Sequence, residues 1–445
     1  MSLLRESRIT LKLAFPLMIG QLSQMLLGVA DTLMLGHLGV TELAALTFAN
    51  SLFHLPFVFG IGLLTGVSVI TSNARGAEDP SKARGSCRHG LTLALGFGFM
   101  CFAIAWWVSH HLDRFGQPPE VAERTTVFFR ILMASMIPAL ASMALKNHAD
   151  ALNRPWPPFW IFLGGVLLNI ALNRVLIFGM AGIPALGLEG AGWATLIART
   201  VILVVTFVWL RRAPGLAEWV PARWWRKPEL HDVRRLLGVG FPASLQMIFE
   251  VAAFSAAGLL IGRFGENSLA AHQIAITVAG TAFMIPLGLS MALTVRVGEA
   301  DGARRFGELK GIVVSGWLLA LGYAALGALA LLLFGRAISG WFVTDPEVIG
   351  IAASILVIVG IFQVFDGVQV TSAAMLRGLH DTRMPAVMGF IAYWIVGLPV
   401  AAFLAMHRGM GATGIWWGLA VGLAGACVAL APRLWRRIGR ATQRP

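Results

Sequence analysis

Asp31, Glu250 and Asp366 each stand inside a long apolar stretch of a chain that otherwise keeps its carboxylates in polar connections. An ionised side chain at the centre of a bilayer costs roughly 2.5 to 3.5 kcal/mol on insertion scales, so three uncompensated acids would oppose insertion by about 8 to 10 kcal/mol. Residues that costly need a purpose. An ionised carboxylate attracts sodium or an organic cation, and the same group with a proton taken up is a neutral carrier. The chemistry these residues suggest is therefore cation handling along a polar path. A sodium ion needs several oxygen ligands, which Glu250 and Asp366 could supply with nearby amides and carbonyls, while a proton needs one basic oxygen. The residue types leave both open.

Amides accompany the acids at helical spacing. Gln21, Gln24, Gly28 and Asp31 follow steps of three, four and three residues, which places them on one face of a helix at 3.6 residues per turn. Gln246, Glu250, Ala253 and Ala257 make a similar narrow stripe, and Phe362, Gln363, Asp366 and Gln369 bracket the third acid. Each helix thus has one face that lipid would not tolerate cheaply. Asn169 and Asn173, four apart, could hydrogen-bond toward Asp31 or simply hold helices together. Met18, Met25, Met34, Met247, Met284 and Met291 would suit an adaptable apolar surface, although methionine in such helices is more often plain packing.

The bland alternative for each acid is a buried ion pair. Arg130, Arg174 and Arg199 are the nearest basic residues within apolar stretches, and all lie in the first half of the chain. Asp31 has possible partners there; Glu250 and Asp366 have no obvious cation nearby. His54 and His272 are expected to be satisfied core groups. Gly62 to Gly66 and Gly418 to Gly422 fit a small-residue packing spacing, but a chain with 50 glycines yields such matches easily.

The elements that must carry these residues are membrane-spanning helices. Mean hydropathy is +0.75, only 13% of residues are charged, and apolar runs recur with centres near residues 22, 58, 100, 136, 167, 201, 250, 281, 321, 360, 393 and 422. Twelve spans in an all-α polytopic membrane protein are expected, with no room between them for a soluble domain. The basic amino terminus resembles a signal peptide, but the apolar stretch runs too long, holds Asp31 and offers no clear cleavage site, so it reads as the first span.

Basic residues alternate between connections. One set contains Arg75, Lys82, Arg84 and Arg88, then Lys146 and Arg154, the Arg211 to Arg235 segment, Arg296 to Lys310, Arg377 and Arg383, and the Arg433 to Arg444 tail. The intervening set is poorer, so the positive-inside rule puts both termini in the cytoplasm of a cell whose cytoplasmic (inner) membrane holds the protein. The net charge of +13 is dispersed among loops, which argues for orientation rather than nucleic-acid binding. Cys87, Cys101 and Cys427 have no metal-ligand spacing. There is no GxxxxGK[ST] loop for ATP and no nucleophile, base and orienter grouping, so no cofactor is expected and an enzyme is not.

Sliding the sequence by 226 residues aligns Phe15-Pro16 with Phe241-Pro242, Gly36 with Gly262, Gly39 with Gly265 and Leu43-Ala44-Ala45 with Leu269-Ala270-Ala271. The register continues through Phe57 with Phe283, Gly62-Leu63 with Gly288-Leu289 and Gly76-Ala77 with Gly302-Ala303. Two six-helix lobes are expected, 1–211 and 236–445, joined by a basic interfacial linker at 212–235. Six spans is an even number, so the halves form a parallel repeat with a substrate path between them. Glu250 aligns with Gln24 and Asp31 with Ala257, so the chemistry has diverged where the scaffold has not.

The segments FPLMIGQLSQMLLGVADTLMLGHLG, GFPASLQMIFEVAAFSAAGLLIGRFG and IFQVFDGVQVTSAAMLRGLHDTRMP, set in twelve spans, resemble the multidrug and toxic compound extrusion (MATE) family, in its NorM-like branch. The resemblance implies a secondary antiporter that lets Na+ or H+ in and sends bulky, usually cationic drugs out by alternating access. By motif, Glu250 and Asp366 would be the coupling-cation and drug-competing acids, with Na+ as the metal they would hold. Gln246 and Gln363 would stand beside them. Asp31 would be the first-half acid, with Gln24, Asn169, Asn173 and Thr195 around it. Some relatives have an aspartate where this chain has Asn173, which argues against a first-half proton site of their kind. A monomer in the lipid bilayer, without a nucleic-acid partner, is expected. A lipid-linked oligosaccharide flippase on a related fold and a non-transporting membrane scaffold are the alternatives. The first would want a cavity rich in arginine and lysine, and the second inert ion pairs.

Overall fold

The structure is a computed structural model that describes residues 3–442 except 37, 181, 183 and 226–228; the side chains of 26, 27, 29–31, 33, 441 and 442 also lie outside the described set. Twelve long helices follow one another: α1 Leu3–Gly36, α2 Val40–Gly76, α3 Pro80–Val108, α4 Pro119–Ala151, α5 Trp156–Phe178, α6 Gly187–Arg212, α7 Leu230–Ile261, α8 Glu266–Gly302, α9 Phe306–Gly340, α10 Pro346–Gly378, α11 Arg383–His407 and α12 Gly411–Thr442. Each expected centre falls within one of them. Helices α2 to α12 are all long and apolar enough to cross a membrane. No strand occurs among the described residues.

Several helices run well past the hydrocarbon. A helix of 33 residues such as α10 is about 50 Å long, against roughly 30 Å of bilayer core. This corrects the placement of Lys146, Arg296 and Arg377 in connections: all three are helical and belong to the ends of α4, α8 and α10.

The helices form two compact units, Gly20–Ser244 and Met1–Ile19 with Leu245–Pro445. The first nineteen residues therefore group with the second half of the chain, and residues 212–244 with the first, unlike a division at 212–235. In the first unit α4 packs on α2, α3 and α6, and α5 packs on α6; in the second α10 packs on α8, α9 and α12. The linker segment is not merely interfacial. Leu216, Val220 and Trp224 are buried in a cluster with Cys87, Leu145 and Leu210, while Trp225 stays exposed.

The grouping of α1 and α7 has a local cause at each end. Within the Leu245–Pro445 unit the start of α1 is held by α8, where Arg296 forms a short ion pair with Glu6 and bonds the Thr10 hydroxyl. Within the Gly20–Ser244 unit the start of α7 is held by α3. There Asp232 lies 3.4 Å from His89 Nδ1, and the Glu229 amide donates to His89 Nε2 at 3.0 Å. Glu6 and Asp232 each precede the helix proline, Pro16 or Pro242, by ten residues. The repeat thus extends to how each half's first helix is anchored.

Backbone geometry repeats as well. The described residues contain four non-glycine positions with left-handed φ: Glu78 at 52°, Arg304 at 55°, Asn153 at 58° and His380 at 62°. Such values are uncommon for residues with a Cβ, yet these fall in pairs, 226 residues apart for Glu78 and Arg304 and 227 for Asn153 and His380. Each terminates a helix through matching bonds, as when the amides of Asn153 and His380 bond the carbonyls of Asp150 and Arg377. The duplication seen in the sequence is therefore structural.

The glycine spacings passed over in the sequence are packing seams. A Cβ on Gly62 would lie 2.4 Å from Ser244 Cα, and one on Gly422 would lie 2.2 Å from the Ala392 carbonyl oxygen. Only glycine permits helices to pass so near.

Candidate functional site

Two helices of the Leu245–Pro445 unit carry the second-half site residues singled out by sequence. On α7, Gln246 is buried and Glu250, one turn later, is half-buried; on α10, Gln363 and Asp366 are buried, the latter only 5% exposed. The carboxylates of Glu250 and Asp366 lie in one another's electrostatic field. Tyr393 of α11 lies in the field of both. Within the described residues neither acid forms an ion pair within 4.0 Å.

Tyr393 reaches this place because α11 widens. Residues Ile391–Gly397 adopt π-helical turns, a rare form that tends to mark functional positions. The next residue, Trp394, donates its indole N–H to the carbonyl of Phe249 at 3.0 Å, which ties the widened turn to α7 beside Glu250. Tyr393 itself is 1% exposed and its hydroxyl has no hydrogen-bond partner in the protein.

The same holds for Asp366 Oδ1, both polar atoms of the Gln363 amide and Gln369 Nε2, all buried without protein partners. Buried polar atoms are nearly always bonded, because each unpaired one costs roughly 1 to 3 kcal/mol. Three such side chains around an acid that is itself unbonded at Oδ1 are the signature of a site that meets its bonding from water, ions or ligand. Aromatic rings close the side toward the start of α12. Phe254 lies against Phe362, Tyr393 and Trp416, and Trp416 against His272. The Nδ1 atom of His272 and the Nε1 of Trp416 are also unbonded, which corrects the expectation of His272 as a satisfied core group.

One residue was missed. Arg377, in the last turn of α10, is buried and donates from Nη1 to the Gln246 side-chain oxygen at 3.1 Å. Glu250 lies in its field. The expectation that the second-half acids lack a cation in their own half is therefore wrong for Glu250. The error came from counting Arg377 with the loop, whereas α10 runs on to Gly378 and buries it in its last turn.

The first-half residues form a separate set in the Gly20–Ser244 unit. Asn169 donates to Thr195 Oγ1 at 3.2 Å and Asn173 donates to Asn169 Oδ1 at 3.0 Å, a chain joining α5 to α6. On α6, one turn beyond Thr195, Arg199 donates to Ser135 Oγ at 2.7 Å and lies over the rings of Phe53 and Phe57. Gln24 is half-buried on α1. Asp31 is named by the sequence, but its side chain lies outside the described residues.

The MatE family profile matches this chain twice, over residues 16–175 and 242–403, one match for each half. The chain belongs to the MatE family. The two matches begin at Pro16 and Pro242, so the family's own unit is the repeat found above. Among MatE relatives, a probable multidrug resistance protein NorM of Rhizobium meliloti (strain 1021) is 36% identical over 444 residues, covering 98% of this chain and 95% of the relative. The multidrug resistance protein PmpM of Pseudomonas aeruginosa is 34% identical, with 98% and 92% covered. Among solved structures, an outward-facing conformation of a multidrug resistance MATE family transporter of the MOP superfamily aligns with a TM-score of 0.90 at 21% identity, covering 99% of this chain and 97% of that one. That likeness establishes a shared fold. As a MatE protein the chain is a multi-pass membrane transporter and not an enzyme.

Proposed function

We propose that the protein is a secondary multidrug exporter of the cytoplasmic membrane, which releases bulky, mostly cationic compounds in exchange for incoming Na+ or H+ by alternating access. One observation carries this reading: Glu250 and Asp366, in helices that span the membrane, share an electrostatic field among buried polar atoms that the protein leaves unbonded. Family membership and near full-length likeness to multidrug resistance proteins support the substrate class.

The exchange follows from charge. Two carboxylates in a medium of low dielectric repel one another, by about 4 kcal/mol for unit charges 4 Å apart at an effective dielectric near 20. A proton or sodium ion relieves that repulsion, and so does a cationic drug. They compete for the same relief. Asp366 Oδ1, the Gln363 amide oxygen and the Tyr393 hydroxyl are oxygen donors suited to sodium, whereas proton transfer needs only a carboxylate. The rings of Phe254, Phe362 and Trp416 supply apolar and cation–π surface for a flat organic cation. Drug entering from the cytoplasmic side leaves when an ion from outside takes the acids.

The test is dye exchange by the purified full chain in liposomes, with sodium and proton gradients imposed independently. The expected result is export of a fluorescent cationic dye driven by at least one gradient, and lost in both Glu250→Gln and Asp366→Asn while the proteins remain folded. Undiminished export by both variants rules out the assigned roles.

A further inference from the structure

The repeat places Asp150 of α4 and Arg377 of α10 at equivalent positions, each the acceptor for the amide of the left-handed residue that ends its helix. Their surroundings are not equivalent. Asp150 is neutralised by Lys146, one turn earlier on the same helix, at 2.6 Å, and both are buried. Arg377 is also buried, but its bond goes to the neutral amide of Gln246, and the described structure gives it no carboxylate within 4.0 Å. A buried guanidinium held by an amide alone has given up its hydration without gaining an opposite charge.

The carboxylate it lacks is close at hand. Glu250 follows Gln246 by four residues on α7, so the two side chains lie on one face about 6 Å apart. The backbone at Arg377 has little freedom: a Cβ on the adjoining Gly378 would stand 2.9 Å from the Thr294 carbonyl oxygen, and Thr294 Oγ1 donates to the Ala374 carbonyl at 3.1 Å. Gln246 is likewise backed by Gly389 of α11, where a Cβ would lie 3.5 Å from Gln246 Cγ. Movement is left to the long arginine side chain, whose planar fork binds carboxylates in a two-pronged geometry an amide cannot match.

We propose that Arg377 is a built-in competitor for the coupling cation, moving its guanidinium from Gln246 to Glu250 whenever that carboxylate is vacant. Gln246 is its resting seat while an ion or drug holds the acids. The role rests on the exchange reading above and deepens it: a carrier between cargoes would otherwise hold two uncompensated carboxylates, and a tethered cation stabilises that empty state and speeds ion release. Arg377 is thus a positioning residue, acting through Glu250 rather than on the transported molecule.

The test measures ethidium exchange in liposomes as a function of external ion, using whichever of Na+ or H+ drives the wild-type protein. Arg377→Gln removes the competitor, so the half-saturating ion concentration is expected to fall by roughly tenfold, the scale of removing one partly screened charge beside the site, and the maximal rate to fall with it. Gln246→Ala removes the resting seat and leaves Arg377 on Glu250, so half-saturation is expected to rise. Arg377→Lys keeps the charge and should return half-saturation toward wild type. Opposite shifts in the first two variants cannot come from a merely structural role. Wild-type dependence on an ion with unchanged half-saturation in Arg377→Gln, or shifts of the same sign in both variants, overturns the competitor role alone. Wild-type exchange indifferent to both ions overturns the exchange reading and this role with it.

Discussion

Gly62 of α2 lies against the backbone of Ser244 of α7, and the Ser244 hydroxyl donates to the Phe59 carbonyl at 2.7 Å. The same crossing recurs 226 residues away, where a Cβ on Gly288 of α8 would stand 2.6 Å from Met18 Cα of α1. Each crossing lies inside one compact unit, two residues beyond the helix proline. The proline loosens the helix by removing a backbone bond, and the glycine lets the loosened turn press on its neighbour.

Both glycines should therefore resist enlargement. Gly62→Ala and Gly288→Ala are each expected to destabilise the protein by about 1 to 3 kcal/mol, the usual cost of overpacking. Gly96→Ala, where nothing stands within 4 Å of the added carbon, should change little. Thermal unfolding of the purified protein in detergent checks all three, and equal melting of Gly62→Ala and Gly96→Ala would contradict the crossing.

The Lys146 and Asp150 pair makes a sharper prediction. Removing one partner leaves a buried charge uncompensated, at about 3 to 5 kcal/mol, whereas removing both often costs far less. Lys146→Met should thus lower thermal stability more than the Lys146→Met, Asp150→Asn double variant. A double variant less stable than the single one would mean the pair contributes through packing instead.

Tyr393 and Trp394 separate ligand binding from architecture. Tyr393→Phe deletes a hydroxyl that bonds nothing in the protein, so stability should hold while the ion concentration needed for exchange rises. Trp394→Phe deletes a bond to Phe249, and about 1 kcal/mol of stability should go with it. Paired melting and exchange measurements would expose the reverse pattern at once.

At the start of α1, Arg296 holds Glu6 and Thr10. Arg296→Gln should speed amide hydrogen exchange in residues 3–19 by local opening, with α9 and α10 unchanged. Uniform acceleration across the chain would instead indicate global loss of stability.

Much of the site was legible before any coordinates. Apolar runs fixed the number of helices, because a bilayer admits few other ways to satisfy a backbone. The 226-residue offset fixed the duplication, because turn glycines and prolines answer to local backbone geometry. Acids within apolar helices announced themselves by cost, and Glu250, Asp366, Gln246 and Gln363 all fall in one compact unit.

What the sequence could not decide was which side chains are left unbonded and which cation stands near which acid. Nothing in the sequence sets Tyr393 and Trp416 apart from other aromatics, since their place beside Phe254 comes from packing, and Arg377 read as a loop charge until α10 proved long enough to bury it. The partners that hold the first nineteen residues in the second unit, Arg296 on Glu6 and Thr10 and Gly288 against Met18, likewise lie far along the chain. Periodicity reports the face a residue occupies on its own helix; only packing supplies the neighbour across from it, and hydrogen bonding and charge pairing depend on that neighbour.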